Sequence, residues 1–173
     1  MILAYRVLTT FLYPFLIILV YFRKFLKKED PKRFKEKIFT SHFGTAENSN
    51  FRLAWFHAAS IGELKSIIPI INQLNHVHKN FRFLVTTSTF SSGKIADLEL
   101  KKFNNVLHRY CPFDVPFLID SFLNTWKPNK ILLVDSEIWP NLILKAEKYG
   151  IPIALINARL TSKSLARFLL NSS

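Results

Sequence analysis

Two glutamates, Glu63 and Glu137, are the residues of this sequence best suited to acid–base chemistry. Glu63 follows Ser60 by three positions, and Glu137 directly precedes the tripeptide Ile-Trp-Pro. One carboxylate could accept the proton of an attacking hydroxyl, while the other could orient a substrate or stabilise developing positive charge. Each also has a structural interpretation: the Ser60–Glu63 spacing is that of a helix capping box, and Glu137 would complement the dipole of a following helix. Spacing alone leaves both interpretations open.

Smaller polar residues could complete a substrate site around these carboxylates. Next to Glu63, Gly62 would let a substrate approach the backbone closely. A hydroxyl-rich turn over residues 86–92 should use most of its side chains as helix caps and one or two to contact a sugar or phosphate. Arginine can form a fork with a carboxylate or phosphate, or pair with Glu137. The predicted substrate-binding residues are Ser60, Gly62, Thr87, Asn157 and Arg159.

The sequence shows no motif for a metal ion or a bound cofactor. The histidines lack carboxylate or thiolate companions at the spacing of metal ligands. Neither a GxGxxG segment nor a phosphate-binding Walker loop is present, so we expect no autonomous dinucleotide or ATP site. The single cysteine, Cys111, excludes an intrachain disulfide and with it the class of small disulfide-rich secreted proteins.

Apolar runs and amphipathic stretches alternate after residue 52, as in a doubly wound α/β domain. Predicted strands cover 53–57, 81–87, 106–110, 130–135 and 152–156, and predicted helices cover 61–77, 92–103, 115–126, 140–149 and a run from 162. The sequence therefore predicts a Rossmann-like parallel sheet with flanking helices. The loops that follow its strands, including those with both glutamates, would share the carboxyl edge, where such folds bind ligands.

An uncharged apolar run from Val7 to Phe22 predicts a membrane-anchor helix over residues 1–24. Sixteen helical residues rise about 24 Å, short of the roughly 20 residues that a full span needs, so the helix could either cross the bilayer or lie in its interface. A helix packed on the globular domain is the alternative. A cleaved signal peptide is excluded because no small-x-small site follows Phe22.

A basic segment, residues 25–51, is predicted to join this helix to the domain at 52–173. Eight basic residues lie between Arg23 and Lys37, and they would attract an anionic membrane surface with roughly 1 kcal/mol each. Their position after the apolar run predicts that the domain lies on the cytoplasmic side of the membrane. Nucleic acid is disfavoured as a partner, despite a net charge of +12, because aromatic residues do not interleave with the basic ones.

Six motifs in order make the sequence resemble the 3-deoxy-D-manno-octulosonic acid (Kdo) transferases, which add Kdo to the lipid A precursor. They are KRFKEK, FHAASIGE, VTTSTFSSG, YCPFD, DSEIWPNL and INARLTSKS. Two departures occur: Asp135-Ser136 stands where the family more often has Glu-Thr, and Phe90-Ser91 replaces the usual Pro and Thr. The resemblance covers nearly the whole chain.

The resemblance implies the N-terminal half of a GT-B glycosyltransferase that takes Kdo from the donor CMP-Kdo and transfers it to the acceptor lipid IVA. In that family the glutamate that matches Glu63 is the catalytic base, and the one that matches Glu137 stabilises the transition state. The family continues into a second Rossmann-like domain that binds CMP and supplies a catalytic lysine. We therefore expect this chain to be inactive alone and either to act with a separate donor-domain chain or to be a non-catalytic remnant or lipid-binding module.

Overall fold

The computed structural model describes residues 2–45, 51–77, 80–135 and 138–156. Its strands are β1 (Arg52–His57), β2 (Phe81–Thr87), β3 (Val106–Tyr110), β4 (Lys130–Val134) and β5 (Ile153–Ile156). Its α-helices are α1 (Ile2–Phe25), α2 (Ile61–Val77), α3 (Phe90–Glu99), α4 (Pro116–Trp126) and α5 (Pro140–Lys148). Short 3₁₀ turns cover Phe34–Lys37, Thr40–His42 and Leu100–Lys102.

The five strands form one parallel sheet in the order β3-β2-β1-β4-β5, which confirms the predicted Rossmann-like fold. Both faces of the sheet are covered. Trp55 points into a core shared with α4 and α5, and the next residue, Phe56, points into a second core shared with α2 and α3. This alternation explains why the central strand is apolar at successive positions, as parallel sheets buried on both faces are.

The order of the strands creates a switch point between β1 and β4. From β1 the chain proceeds to β2 and β3 on one side of the sheet, and then returns to place β4 and β5 on the other side. The carboxyl ends of β1 and β4 are neighbours there, with His57 in register with Leu133. In open parallel sheets, ligands bind in the crevice at such a point.

Helix α1 lies along the domain instead of projecting from it. Near its amino end Tyr5 donates a hydrogen bond to Asp114, and near its middle Tyr13 donates one to the carbonyl of Ile38 at 2.6 Å. Close to its carboxyl end Val20 is fully buried. The opposite face of the helix is exposed and apolar, so the alternative of a helix packed on the domain is correct for one face only.

The basic segment is folded against the domain in its first part. Residues 38–43, which belong to the segment predicted to join α1 to the domain, include the buried Ile38 and Phe43. The indole of Trp126 donates a hydrogen bond to the carbonyl of Phe43. The segment folds because these apolar side chains fill the space under α1 and α4, whereas the polar stretch 46–50 lies outside the described residues.

Two of the cations predicted to face lipid are turned inward. Arg33 donates hydrogen bonds to Glu36, to Asp97 and to the carbonyl of His108. Lys37, only 4% exposed, forms an ion pair with Glu29. For these two residues the prediction of a lipid contact is wrong, because carboxylates compensate their charges inside the fold.

Candidate active site at the carboxyl edge of the sheet

The Glu63 carboxylate is fixed beside the end of β1 by two hydrogen bonds. Its Oε2 accepts one from the backbone amide of Ala59 at 2.8 Å, and its Oε1 accepts one from the Ser60 hydroxyl at 2.6 Å. The Glu63 amide donates in turn to Ser60 Oγ at 3.3 Å. This is a reciprocal cap of helix α2, so the capping interpretation is confirmed.

Capping leaves Glu63 able to accept a proton. The side chain is half-buried, and each carboxylate oxygen has a second acceptor position beyond the hydrogen bond that it makes. Ser60 and Gly62 beside it are both exposed. A methyl group at Gly62 would meet only Ser60 Oγ, at 4.0 Å, so the backbone here is open to a substrate. Structural and chemical roles are therefore compatible in this one side chain.

His57 forms the floor of this edge and is fully buried. Its Nδ1 lies 2.9 Å from Thr86 Oγ1, and its ring stands edge-on to Trp139 with centroids 5.3 Å apart. Burial lowers the pKa of His57 to about 4, so the ring is neutral at pH 7. His57 thereby links the end of β1 to the segment that enters α5.

Thr87, a predicted substrate contact, is fully buried. Its hydroxyl lies 2.9 Å from His108 Nε2, and His108 Nδ1 lies 3.0 Å from Asp97. A substrate does not reach a side chain in this position. Thr87 therefore belongs to the interior network between β2, β3 and α3, and we leave it out of the candidate site.

Asp114 caps helix α5 from a distance. Its two carboxylate oxygens accept hydrogen bonds from the backbone amides of Asn141 and Leu142, each at 3.0 Å. The Asn141 side chain donates back to the Asp114 carbonyl, and Tyr5 of α1 donates to the same carboxylate. Burial raises the pKa of Asp114 although these donors oppose the shift. The motifs YCPFD and WPN are thus two halves of one structural unit.

Comparison with known proteins identifies the family. A family model described as 3-Deoxy-D-manno-octulosonic-acid transferase (kdotransferase) matches residues 32–172. The chain belongs to the Kdo transferase family.

Individual Kdo transferases align with most of the chain. A probable mitochondrial 3-deoxy-D-manno-octulosonic acid transferase of Arabidopsis thaliana is 37% identical over 95% of this chain and 36% of its own length. The 3-deoxy-D-manno-octulosonic acid transferase of Rickettsia bellii is 34% identical over 92% of this chain and 37% of its own length. The chain thus spans about a third of the length of these relatives.

The crystal structure of UDP-N-acetylglucosamine 2-epimerase superposes on this chain. The superposition covers 69% of this chain and 35% of the epimerase chain. Its TM-score is 0.47 and its sequence identity 13%, so it adds nothing to the description of the sheet above.

Three of the predicted site residues of this Kdo transferase family member lie outside the described residues: Glu137, Asn157 and Arg159. The strands that precede them are described: β4 ends at Val134 and β5 at Ile156, and these two strands pair in parallel at the edge where β1 ends. Convergence of the three side chains on Glu63 stays a prediction. Among the described residues, no group of three or more His, Cys, Asp or Glu side chains could hold a metal ion.

Sequence reasoning missed the part played by Asp114 and by Gly93. The sequence signal that could have indicated the role of Asp114 is at the start of α5. The residue before the helix is Trp139 and its first residue is Pro140, so the helix has no local capping side chain. Gly93 belongs to the motif VTTSTFSSG. A Cβ atom added at this position would lie only 2.1 Å from the Tyr110 hydroxyl. The absence of a side chain at Gly93 therefore lets Tyr110 pack directly against α3.

Proposed function

We propose that the chain forms the acceptor-binding side of a Kdo glycosyltransferase in lipopolysaccharide biosynthesis. It would transfer Kdo from CMP-Kdo to the lipid A precursor lipid IVA. One observation carries the proposal: the Glu63 carboxylate is held, half-exposed, at the carboxyl end of β1, beside the switch point of the sheet. Membership of the Kdo transferase family supplies the chemistry that such a carboxylate would perform.

In this proposal Glu63 acts as the general base. It takes the proton from a glucosamine hydroxyl of the acceptor as that oxygen attacks the anomeric carbon of Kdo. The bond between the anomeric carbon and the phosphate oxygen breaks, and its electron pair leaves with CMP. Glu137 would stabilise the positive charge that develops on the sugar, and Arg159 and Asn157 would hold anionic and hydroxyl groups of the substrates.

The donor would be bound largely by a further region, as in the family. Positioning both substrates accounts for a large share of catalytic rate acceleration, so transfer requires that region in the same polypeptide or in a separate chain. We therefore propose that residues 1–173 support transfer when a donor-binding region is supplied and show none without it.

The base is tested by measuring transfer from CMP-Kdo to lipid IVA in detergent micelles. The chain is assayed alone and with the remaining two thirds of the Rickettsia bellii relative, expressed separately or fused. We expect activity only in the combination. Glu63→Gln should then reduce the rate by about 10²- to 10⁴-fold, the range for loss of a general base.

Glu99→Gln is the matched control, since Glu99 is an exposed glutamate on α3 that pairs only weakly with Lys102 at 3.7 Å. Its rate should stay within about twofold of the parent, as surface substitutions are usually close to neutral. Full activity of Glu63→Gln would exclude Glu63 as the base. Silence of the combination, with the relative's own two regions active in parallel, would instead support a lipid-binding module of the same fold.

We also propose that α1 lies in the membrane interface instead of crossing the bilayer. By length and composition, α1 could cross a membrane. Its contacts with the domain extend from Tyr5 to Val20, about 22 Å along the helix axis, so a perpendicular span would draw the polar domain into the hydrocarbon. Its opposite face is apolar, and the exposed Lys24, Lys27 and Lys28 follow it. This arrangement is typical of interfacial helices on the cytoplasmic face of a membrane.

A further inference from the structure

A basic cavity lies between the amino-terminal part of α1 and the outer face of α5. It has a volume of about 160 Å³ and is lined by Arg6, Asn141, Leu144, Lys145 and Lys148. Three of these five residues are cationic, and none of the described residues that line the cavity is a carboxylate. It is separate from the sheet edge that carries Glu63, since it is formed by the side of α5 that faces α1.

The cations of this cavity differ from those of the basic segment in how they are compensated. Arg33 and Lys37 are each neutralised by carboxylates within the fold. In the cavity Lys145 pairs with Asp120, whereas Arg6 and Lys148 are exposed and form no ion pair within the described part of the chain. Two positive charges therefore remain available to an anion.

The wall of the cavity is held in place before any ligand binds. Asn141 is only 1% exposed and is tied to Asp114 through both its backbone and its side chain. Its amide also approaches the Thr9 hydroxyl of α1 at 3.3 Å, so the two helices that form the cavity are fixed to each other. A preformed site loses less free energy in ordering on binding.

The cavity adjoins an apolar groove along α1, with which it shares Arg6. Arg6 also lines this adjoining groove, whose other residues are Leu3, Val7, Thr10, Phe11 and Pro116. Leu3, Val7 and Phe11 continue into an apolar surface with Leu8, Leu12 and Phe15. Phe11 is 80% exposed. Cationic groups thus lie at one end of a continuous hydrocarbon-like surface, which matches an amphiphile with an anionic head and an acyl tail.

We propose that this cavity binds the phosphate group of an anionic glycerophospholipid, whose acyl chain lies along the Val7–Phe11 face of α1. The arginine fork and the ammonium group of Lys148 suit the several oxygens of a phosphate better than a single carboxylate. A phospholipid is the occupant because the groove is continuous with the face of α1 that would contact the bilayer. The inference rests on the proposed interfacial position of α1, and it gives the domain one fixed orientation on the membrane.

The test is co-flotation of the chain with vesicles of phosphatidylglycerol and of phosphatidylcholine. We expect preference for phosphatidylglycerol, and the double substitution Arg6→Gln with Lys148→Gln should reduce the partition coefficient about tenfold. The matched control is Lys65→Gln with Lys130→Gln, which removes the same charge from exposed positions on α2 and at the start of β4. The control pair should lose less than about threefold, as expected of charges that act only through the overall field.

Equal losses in the two double variants would overturn the proposal, because they would show only non-specific attraction of a basic protein. Phosphatidylcholine vesicles doped with lipid IVA form a further arm of the experiment. If the Arg6 and Lys148 pair affected binding to these vesicles but not to phosphatidylglycerol, the occupant would be the phosphorylated acceptor and the glycerophospholipid assignment would be wrong. The transfer assay in micelles is independent of this outcome, so failure here is distinguishable from failure of the proposed function.

Discussion

The two helices that begin at the switch point, α2 and α5, satisfy their amino-terminal amides in different ways. In α2 the cap is local, because Ser60 and Glu63 bond each other within one turn. In α5 the cap is remote, because Asp114 reaches across from the loop before α4. Because Glu63 caps its own helix, its carboxylate is held at a fixed place on the sheet edge. The amides at the start of α5 instead depend on Asp114, from another part of the chain. The difference teaches that the same edge combines a self-positioned candidate base with a helix, α5, whose first turn is held by a residue from another part of the chain.

Removal of the remote cap should have the largest effect on stability. Asp114→Ala leaves the amides of Asn141 and Leu142 and the Tyr5 hydroxyl without their acceptor. We expect a loss of about 3 kcal/mol in the free energy of unfolding, measured by urea denaturation, since two buried amides and a half-buried hydroxyl lose their acceptor together. Ser60→Ala, which removes the local cap, should lose only about 1 kcal/mol. Equal losses would remove the distinction between the two caps.

The second-largest effect on stability is expected from acidification, because His57, which connects the end of β1 to the residue before α5, is buried in its neutral form. The pKa of His57 falls from an ordinary 6.5 to about 4 in the folded protein. Below pH 6.5 the unfolded chain therefore binds a proton that the folded chain does not, and stability is lost as the pH falls toward 4. At pH 5 this linkage amounts to about 2 kcal/mol.

His57→Gln removes that titration and serves as the comparison. The difference in unfolding free energy between wild type and His57→Gln should shrink by about 2 kcal/mol from pH 7 to pH 5. A difference that stays constant over this range would show that His57 is not buried in its neutral form. His108, whose pKa burial and the nearby Arg33 also lower to about 4, contributes equally to both proteins and cancels.

The smallest effect on stability is expected at Gly62, where the consequence should be on substrate binding. Gly62→Ala adds a methyl group that meets only Ser60 Oγ at 4.0 Å, so the free energy of unfolding should stay within about 0.5 kcal/mol or rise slightly. If the acceptor approaches this backbone, its KM should increase several-fold while the KM for CMP-Kdo stays the same. An unchanged acceptor KM would place the acceptor elsewhere on the edge.

Local patterns predicted the secondary structure well, since strands β2 and β3 and helix α2 have the predicted bounds. Those elements depend on periodicity and on neighbours in the sequence. The cap from Asp114 could not be predicted in the same way, because 27 residues separate it from Asn141 and the fold alone brings them together.

The candidate site was predictable in part. The spacing of Ser60 and Glu63 predicted their mutual hydrogen bonds, because both residues lie in one helical turn. Thr87 was misplaced because a strand residue next to a polar turn is read from sequence as exposed, whereas its partner His108 comes from another strand. The burial of Lys37 could not be predicted either, because one of its partners is distant in the sequence. Lys37 pairs with Glu29 and donates a hydrogen bond to the carbonyl of Ser88, and only the fold brings these groups together.

The most direct test of the central claim is the transfer rate of Glu63→Gln, measured together with its unfolding free energy. The glutamine amide can still accept the hydrogen bond from Ala59, so we expect a stability loss of no more than about 1 kcal/mol. The rate should nevertheless fall by about 10²-fold or more, because an amide does not take up the acceptor proton. A rate within about threefold of the parent protein would contradict the account and leave Glu63 as a helix cap alone.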